Sequence, residues 1–196
     1  PYVTSSNTVA SQAATGSGLG PSAIGYVLGI CKAYTTRVGS GPFPTEQVNA
    51  IGRELGKRGH EFGTVTGRPR RCGWFDAVAA RYAVRLNGID TVVITKLDVL
   101  SGLDRIGVVT GYRRGERHED VGAMAEPGLD IEIEWFEGWN RAITAARRTS
   151  DLPPAARRYL EALERLLGVP VEGASVGPER EQYVAAFESA GTPRGT

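Results

Sequence analysis

Three observations predict an α/β fold, a mixed β-sheet with flanking helices. The run Thr91–Thr95, TVVIT, has a β-branched apolar centre and no charge, as a strand buried in a sheet requires. Just before it, Phe75, Ala79, Tyr82, Ala83 and Leu86 recur at helical spacing, and Asn87-Gly88 supplies a C-terminal stop. Beyond Asp98 the pattern turns β-rich: Ile106–Tyr112 is strand-like, and Ile131, Ile133 and Trp135 alternate with Glu132 and Glu134 as in a half-buried strand. Helix, turn, buried strand and polar loop in succession describe an α/β sheet, whose ligands sit at the carboxyl ends of its strands.

The remaining elements are read in chain order. Val3 to Pro21 is small and polar, ends in TGSGLGP, and is expected to be a loop. Pro21 at a first helical position opens a helix through about Lys32, with Ile24, Val27, Leu28 and Cys31 on one face. Tyr34 to Val38 is a short strand, stopped by GPFP at Gly41 to Pro44. A second helix spans about Glu46 to Lys57 and halts at Gly59, and the charges of GRELGKRGHEFG read as its solvated face. In SDLPPAARRYLEALERLLG, an early proline, the stripe Tyr159, Leu160, Leu163, Leu166 and Leu167, and a terminal Gly168 define an amphipathic helix. Val169 to Val176 returns to the sheet before a Gly177-Pro178 turn, and the tail SAGTPRGT frays.

With 196 residues, 41% of them hydrophobic, the chain can fold as one domain or as part of a larger one. Its 23 basic and 22 acidic side chains leave a net charge of +1, which gives no support for a general nucleic-acid surface. Two cysteines make no disulfide framework, and no CxxC pair or His/Cys cluster suggests zinc. No apolar run reaches the roughly 20 residues of a membrane helix, and the start does not resemble a signal peptide, so a cytoplasmic protein without membrane contact is expected. Opening on PYVTSSNT without methionine, the chain reads as the middle of a longer protein.

Two segments point to chemistry. Gly63 to Trp74, GTVTGRPRRCGW, combines three glycines, two threonines and three arginines. Glycine permits close backbone approach, threonine donates through its hydroxyl, and arginine presents a fork matched to paired anionic oxygens. Pro69 favours extended geometry at Arg68, so Arg68 and Arg70 can face the same anion. The bland account is a glycine-rich surface turn with solvated arginines; an RNA-binding use of RPRR lacks an aromatic platform. The second segment is the strand end TKLD. There Asp98 can accept from the ring N–H and amino group of guanine while the Lys96 stem lies along the purine, or both side chains can simply face solvent. His60 and His118 lack partners at metal or triad spacing, the three tryptophans read as core, and no GxxxxGK[ST] phosphate loop is present.

These segments, with VTSSNT, TGSGLGP, TRVGSGPFPTE and VGPER in the same order, resemble adenylosuccinate synthetase over nearly the whole chain, densest from Pro1 to Asp98. The resemblance implies the carboxyl-terminal portion, residues 1–196, of a larger P-loop-NTPase-like single-domain enzyme. It is a ligase of purine and AMP biosynthesis that joins IMP and L-aspartate with GTP hydrolysis, as a cytoplasmic homodimer. Carried over position by position, Thr4, Val38 and Arg68 would contact IMP. Thr64, Val65, Thr66, Gly67, Arg68, Pro69 and Arg70, within a loop of about 63–71, would close over aspartate. Arg70, Lys96, Leu97, Asp98, Ser175, Val176 and Gly177 would surround GTP, the base lying at about 95–98 and 175–177. Val65 stands where many members have threonine. The family's Mg²⁺ ligands, catalytic acid and base belong to its amino-terminal half, so no catalytic or metal residue is assigned here and this chain alone is expected to be inactive. The alternative is a non-catalytic guanine-nucleotide-binding fragment or interaction module.

Overall fold

A computed structural model describes residues 7–63, 67–125 and 128–185. In chain order the elements are α1 (Gln12–Ser17), β1 (Leu28–Lys32), β2 (Thr35–Arg37), α2 (Ala50–Arg58), β3 (Arg71–Gly73), β4 (Phe75–Asp76), α3 (Ala77–Asn87) and β5 (Thr91–Thr95). They continue with β6 (Arg105–Arg114), β7 (Arg117–Glu119), β8 (Asp130–Glu137), α4 (Pro154–Leu167), β9 (Val171–Ser175) and β10 (Tyr183–Ala185).

The expected mixed sheet is present. TVVIT forms β5, with Val92 and Ile94 fully buried, and it pairs in parallel with both β1 and β9 while β10 closes the other side antiparallel to β9. A second sheet is built on β6, which runs parallel to β4 and antiparallel to β7 and β8. The pair β2–β3 forms a separate two-stranded ribbon.

The amphipathic stripe of α4 performs as its periodicity requires. Tyr159, Leu160, Leu163 and Leu167 are buried, the helix packs against α3, β8 and β9, and Gly168 ends it in the left-handed conformation. The Tyr159 hydroxyl donates to the Ala33 carbonyl at 2.8 Å, tying α4 to the end of β1. Helix α3 ends where expected, at Gly88, but Phe75, read on its apolar face, lies in β4; Asp76 caps the helix by accepting from the Ala79 N–H at 3.0 Å, and Tyr82 and Leu86 are exposed.

Four further expectations are corrected. The segment from Pro21 makes only one 3-10 turn, Pro21–Ala23, and then becomes β1. Gly25 and Gly29 disfavour a helix there, and a Cβ at Gly29 would sit 2.9 Å from Ile89 and 3.1 Å from Val92, so glycine lets β1 lie against β5. The expected loop before it contains the short helix α1, closed by Gly18 at φ 71°. Helix α2 starts at Ala50 rather than Glu46, because the Asn49 side chain caps it by accepting from the Ile51 and Gly52 N–H groups at 2.9 and 3.2 Å. Among the tryptophans, Trp74 and Trp139 are core, but Trp135 is 45% exposed and lies under the Arg105 guanidinium, 4.4 Å from its ring centre.

Leu163 is fully buried in the main cluster, whereas Glu161 lies on the exposed face of the same helix. Leu163→Ala is expected to lower the unfolding free energy by about 2–5 kcal/mol and Glu161→Ala by less than about 0.5 kcal/mol, in urea titrations. Similar losses for the two would contradict this orientation of α4.

Candidate functional site

Parallel pairing brings the carboxyl ends of β1, β5 and β9 together, since Lys32 is in register with Thr95 and Ile94 with Ala174. The chain leaves β5 through Lys96, whose φ of 60° turns it into the 3-10 helix Leu97–Leu100. The Lys96 N–H donates to the Ser175 hydroxyl at 2.9 Å, so TKLD and the end of β9 meet. Leu97 and Val176 are fully buried; their side chains belong to the core, and only their backbone can face a ligand. Asp98 is half-buried, and its Oδ1 is buried without a hydrogen-bond partner. Burial raises the Asp98 carboxyl above its usual range, against the opposing pull of its own backbone N–H and of Lys96. A buried carboxylate oxygen lacking donors at a strand end is suited to a ligand that brings N–H groups.

The residue that organises this region is Glu61, which the sequence reading placed on a solvated face. Its side chain is fully buried. Oε1 accepts from Lys96 Nζ at 2.8 Å, Lys32 Nζ at 3.0 Å and the Tyr34 hydroxyl at 2.7 Å, while Oε2 accepts from Arg70 Nη1 at 2.9 Å and Lys32 Nζ at 3.0 Å. Burial alone would raise the Glu61 carboxyl, but the donors Lys96, Tyr34, Lys32 and Arg70 together hold it down to about 2. Burial and the same contact push the Tyr34 phenol well above its usual range. Three cations share this carboxylate, and even with the Asp98 carboxyl near Lys96 the cluster keeps a positive surplus. The cationic side chains are 29%, 33% and 35% exposed, making an electropositive rim.

The arginine loop hangs from this cluster. The Glu61 carbonyl accepts from the Arg70 N–H at 2.8 Å, Phe62 bridges Pro69, and the Gly63 N–H donates to the Arg68 carbonyl at 2.8 Å. Gly67 sits at φ 63° within the closed turn. Gly67, Arg68 and Pro69 are exposed. Thr4, Thr64, Val65 and Thr66 lie outside the described residues. Arg70 does face an anion as expected, but that anion is the chain's own Glu61. Arg71 has a different role: it forks onto Glu46 at 2.9 and 2.5 Å, donates to the carbonyls of Gly39 and Gly41, and lies over the Phe43 ring. Val38, 77% exposed, directly follows β2. A cavity of about 480 Å³ beside this ribbon includes Lys32, Tyr34, Thr36 and Arg37 in its wall, and another of about 370 Å³ includes Glu61, Pro69, Arg70 and Arg71.

Lys32, Tyr34 and Glu61 were missed for one reason each. Lys32 was hidden by the helix expected over Pro21 to Lys32; reading Gly25 and Gly29 as helix breakers would have made it a strand end. Tyr34 was read only as the start of a strand. Glu61 carries no local signal, since a glutamate between His60 and Phe62 looks like any surface charge.

The fold and the site together define an α/β protein with a cation-rich cleft at the carboxyl ends of parallel strands. The chain belongs to the adenylosuccinate synthetase family, whose family model matches residues 1–184. Among solved structures it is similar to the fully ligated adenylosuccinate synthetase from Plasmodium falciparum, at 37% identity and a TM-score of 0.88, over 95% of this chain and 46% of that one. It is also similar to the cyanophage S-2L succinoaminodeoxyadenylate synthetase bound to dGMP and dATP as an energy donor. There the identity is 20% and the TM-score 0.54, over 94% of this chain and 41% of that one, a likeness of fold alone. The chain thus spans less than half the length of these solved relatives.

Because the Glu61 carboxyl lies below its usual value of 4.5, its contribution to stability is present above that value and is lost as pH falls through about 2. In denaturant titrations between pH 7 and 2, the wild-type chain should lose stability in this window. Glu61→Gln should start about 3–5 kcal/mol lower at pH 7, because three cations lose their counter-charge, and should show a shallower acid slope. An identical slope in both proteins would remove Glu61 as the source.

Proposed function

We propose that the protein containing this chain joins IMP and L-aspartate, driven by GTP hydrolysis, to form adenylosuccinate, GDP and phosphate. This chain would supply the loop that grips aspartate and the pocket that reads guanine. Family membership supports that reading over a non-catalytic module. The observation that carries it at residue level is Asp98: a half-buried carboxylate with an unpartnered buried oxygen, at the end of a parallel strand. Guanine offers a ring N–H and an exocyclic amino group to one carboxylate; adenine lacks that donor pair and would leave Asp98 unpaired.

In this reading Val38, Thr4 and Arg68 contact IMP, and the loop Thr64 to Arg70 closes on aspartate. Arg70, Lys96, Asp98, Ser175 and Gly177 hold GTP, with Leu97 and Val176 contributing backbone because their side chains are core. The protein works as a homodimer in the cytoplasm. No helix among the described residues is long and apolar enough to cross a membrane. Mg²⁺ accompanies GTP in this reading. In this reading its ligands come from the part of the protein outside this chain.

Incubating the full-length protein with IMP, L-aspartate and GTP should give adenylosuccinate, with all three required; formation of no product would overturn the proposal. Arg68→Leu removes a planar donor fork from the aspartate loop and should raise the aspartate KM or abolish turnover while the thermal midpoint stays near wild type. Unchanged aspartate kinetics would take Arg68 out of the site.

Asp98→Asn tests the base pocket, because the new amide faces the guanine amino group donor to donor. kcat/KM for GTP should fall by on the order of 10²-fold, equivalent to about 3 kcal/mol. Xanthosine triphosphate, with a carbonyl in place of that amino group, should become the better substrate. Retained preference for GTP at near wild-type kcat/KM would mean that Asp98 does not read the base.

A further inference from the structure

We propose that Glu61 is a positioning residue that fixes Arg70 and Lys96 against each other and so sets the aspartate loop and the guanine pocket in one pose. The inference rests on the functional reading above for the roles of those two cations.

The geometry separates the two tasks between the two oxygens. Oε1 faces Lys96 at 2.8 Å, and Oε2 faces Arg70 at 2.9 Å. A carboxylate is a rigid plane, so seating one cation fixes where the other can sit. Lys32 bridges both oxygens at 3.0 Å, which resists rotation of that plane, and the Tyr34 hydroxyl at 2.7 Å holds Oε1 from the buried side. The backbone reinforces the placement: the Glu61 N–H donates to the Gly56 carbonyl at the end of α2, and the Glu61 carbonyl accepts from the Arg70 N–H, both at 2.8 Å.

Backbone strain points to the same place independently. Among the described residues, the non-glycine residues at positive φ are His60 at 49° and Lys96 at 60°. One turns the chain inward immediately before Glu61, and the other presents the ammonium group that Glu61 binds. Left-handed conformations cost about 1 kcal/mol or more for such residues and persist where surrounding structure over-determines them, typically around functional sites. Gly59, next to His60, admits no side chain, since a Cβ there would run into the Tyr34 hydroxyl.

A neutralising ion pair would need one cation for one carboxylate. Three cations meet Glu61, each still about one-third exposed, so the cluster keeps a positive surplus directed outward. Glu61 therefore acts as a template for cations that remain available to anionic ligands.

The test compares Glu61→Gln and Glu61→Asp with wild type in the full-length protein, with aspartate and GTP each varied at saturating concentrations of the other substrates. Glu61→Gln removes the charge. Glu61→Asp keeps the charge and the fold but withdraws the carboxylate by one methylene, so it cannot span both partners. Both variants should raise the KM for aspartate and the KM for GTP together, by about tenfold or more for Gln and about fivefold for Asp, with kcat within about threefold. A purely structural role would lower the thermal midpoint and leave both KM values of the folded Asp variant within about twofold of wild type; that result overturns the inference. A rise in only one KM also overturns it, because Glu61 would then serve one subsite. Should Glu61→Gln fail to fold, Glu61→Asp decides alone. A wild-type protein that forms no adenylosuccinate overturns the functional reading itself and this inference with it.

Discussion

A carboxylate buried among cations is the arrangement on which the rest of the candidate site depends. Glu61 could not remain ionised out of water without its donors, because desolvation of a lone carboxylate outweighs any packing gain. Lys32 comes from the end of β1, Lys96 from the end of β5, Arg70 from the loop before β3 and Tyr34 from the chain between β1 and β2. Lys32 and Tyr34 are neighbours in the chain, but Lys96 shares the carboxylate with them only because β1 pairs in parallel with β5, so the full donor set exists only in the folded sheet. Conversely, once the strands are paired, their two lysines would repel each other at the same sheet end without Glu61. Sheet and site are thus mutually dependent, and the charge cluster reports directly on strand register.

Much of the frame was legible in the sequence because its signals are local. TVVIT and the stripe in α4 each declare an element within about a dozen residues and form where their patterns say, whereas the α3 pattern is right in its end at Gly88 and wrong in including Phe75, which falls in β4. The segment around β1 failed because Ile24, Val27, Leu28 and Cys31 happen to fit a helical face, while the deciding factor is non-local: Gly29 gives β1 room against Ile89 and Val92. The start of α2 shifted for a related reason. Glu46 suits a first helical turn, yet it is drawn into a fork with Arg71 from another strand, and Asn49 becomes the cap.

The candidate site divides in the same way. The Lys96 N–H and the Ser175 hydroxyl meet because residues at the ends of parallel strands are placed by the sheet itself. Glu61 was invisible because its burial is created by four partners distant from it in the chain. A charged residue is assigned to solvent by default, and only the fold can reverse that assignment.

The three arginines of GRPRR show how one basic run is divided by its surroundings. Arg71, inside β3, is committed to the scaffold: two bonds to Glu46 and two to loop carbonyls use its donors, and the pair lowers the Glu46 carboxyl below its usual range. Arg70, one residue earlier, is shared, with one nitrogen on Glu61 and the rest of the side chain one-third exposed. Arg68 lies on the exposed turn closed by Gly63 and Gly67. Exposure therefore increases along the run from Arg71 to Arg68. A uniform cluster of solvated arginines would weaken itself by mutual repulsion. Anchoring Arg71 on Glu46 and Arg70 on Glu61 offsets part of that repulsion while keeping the positive field beside the turn.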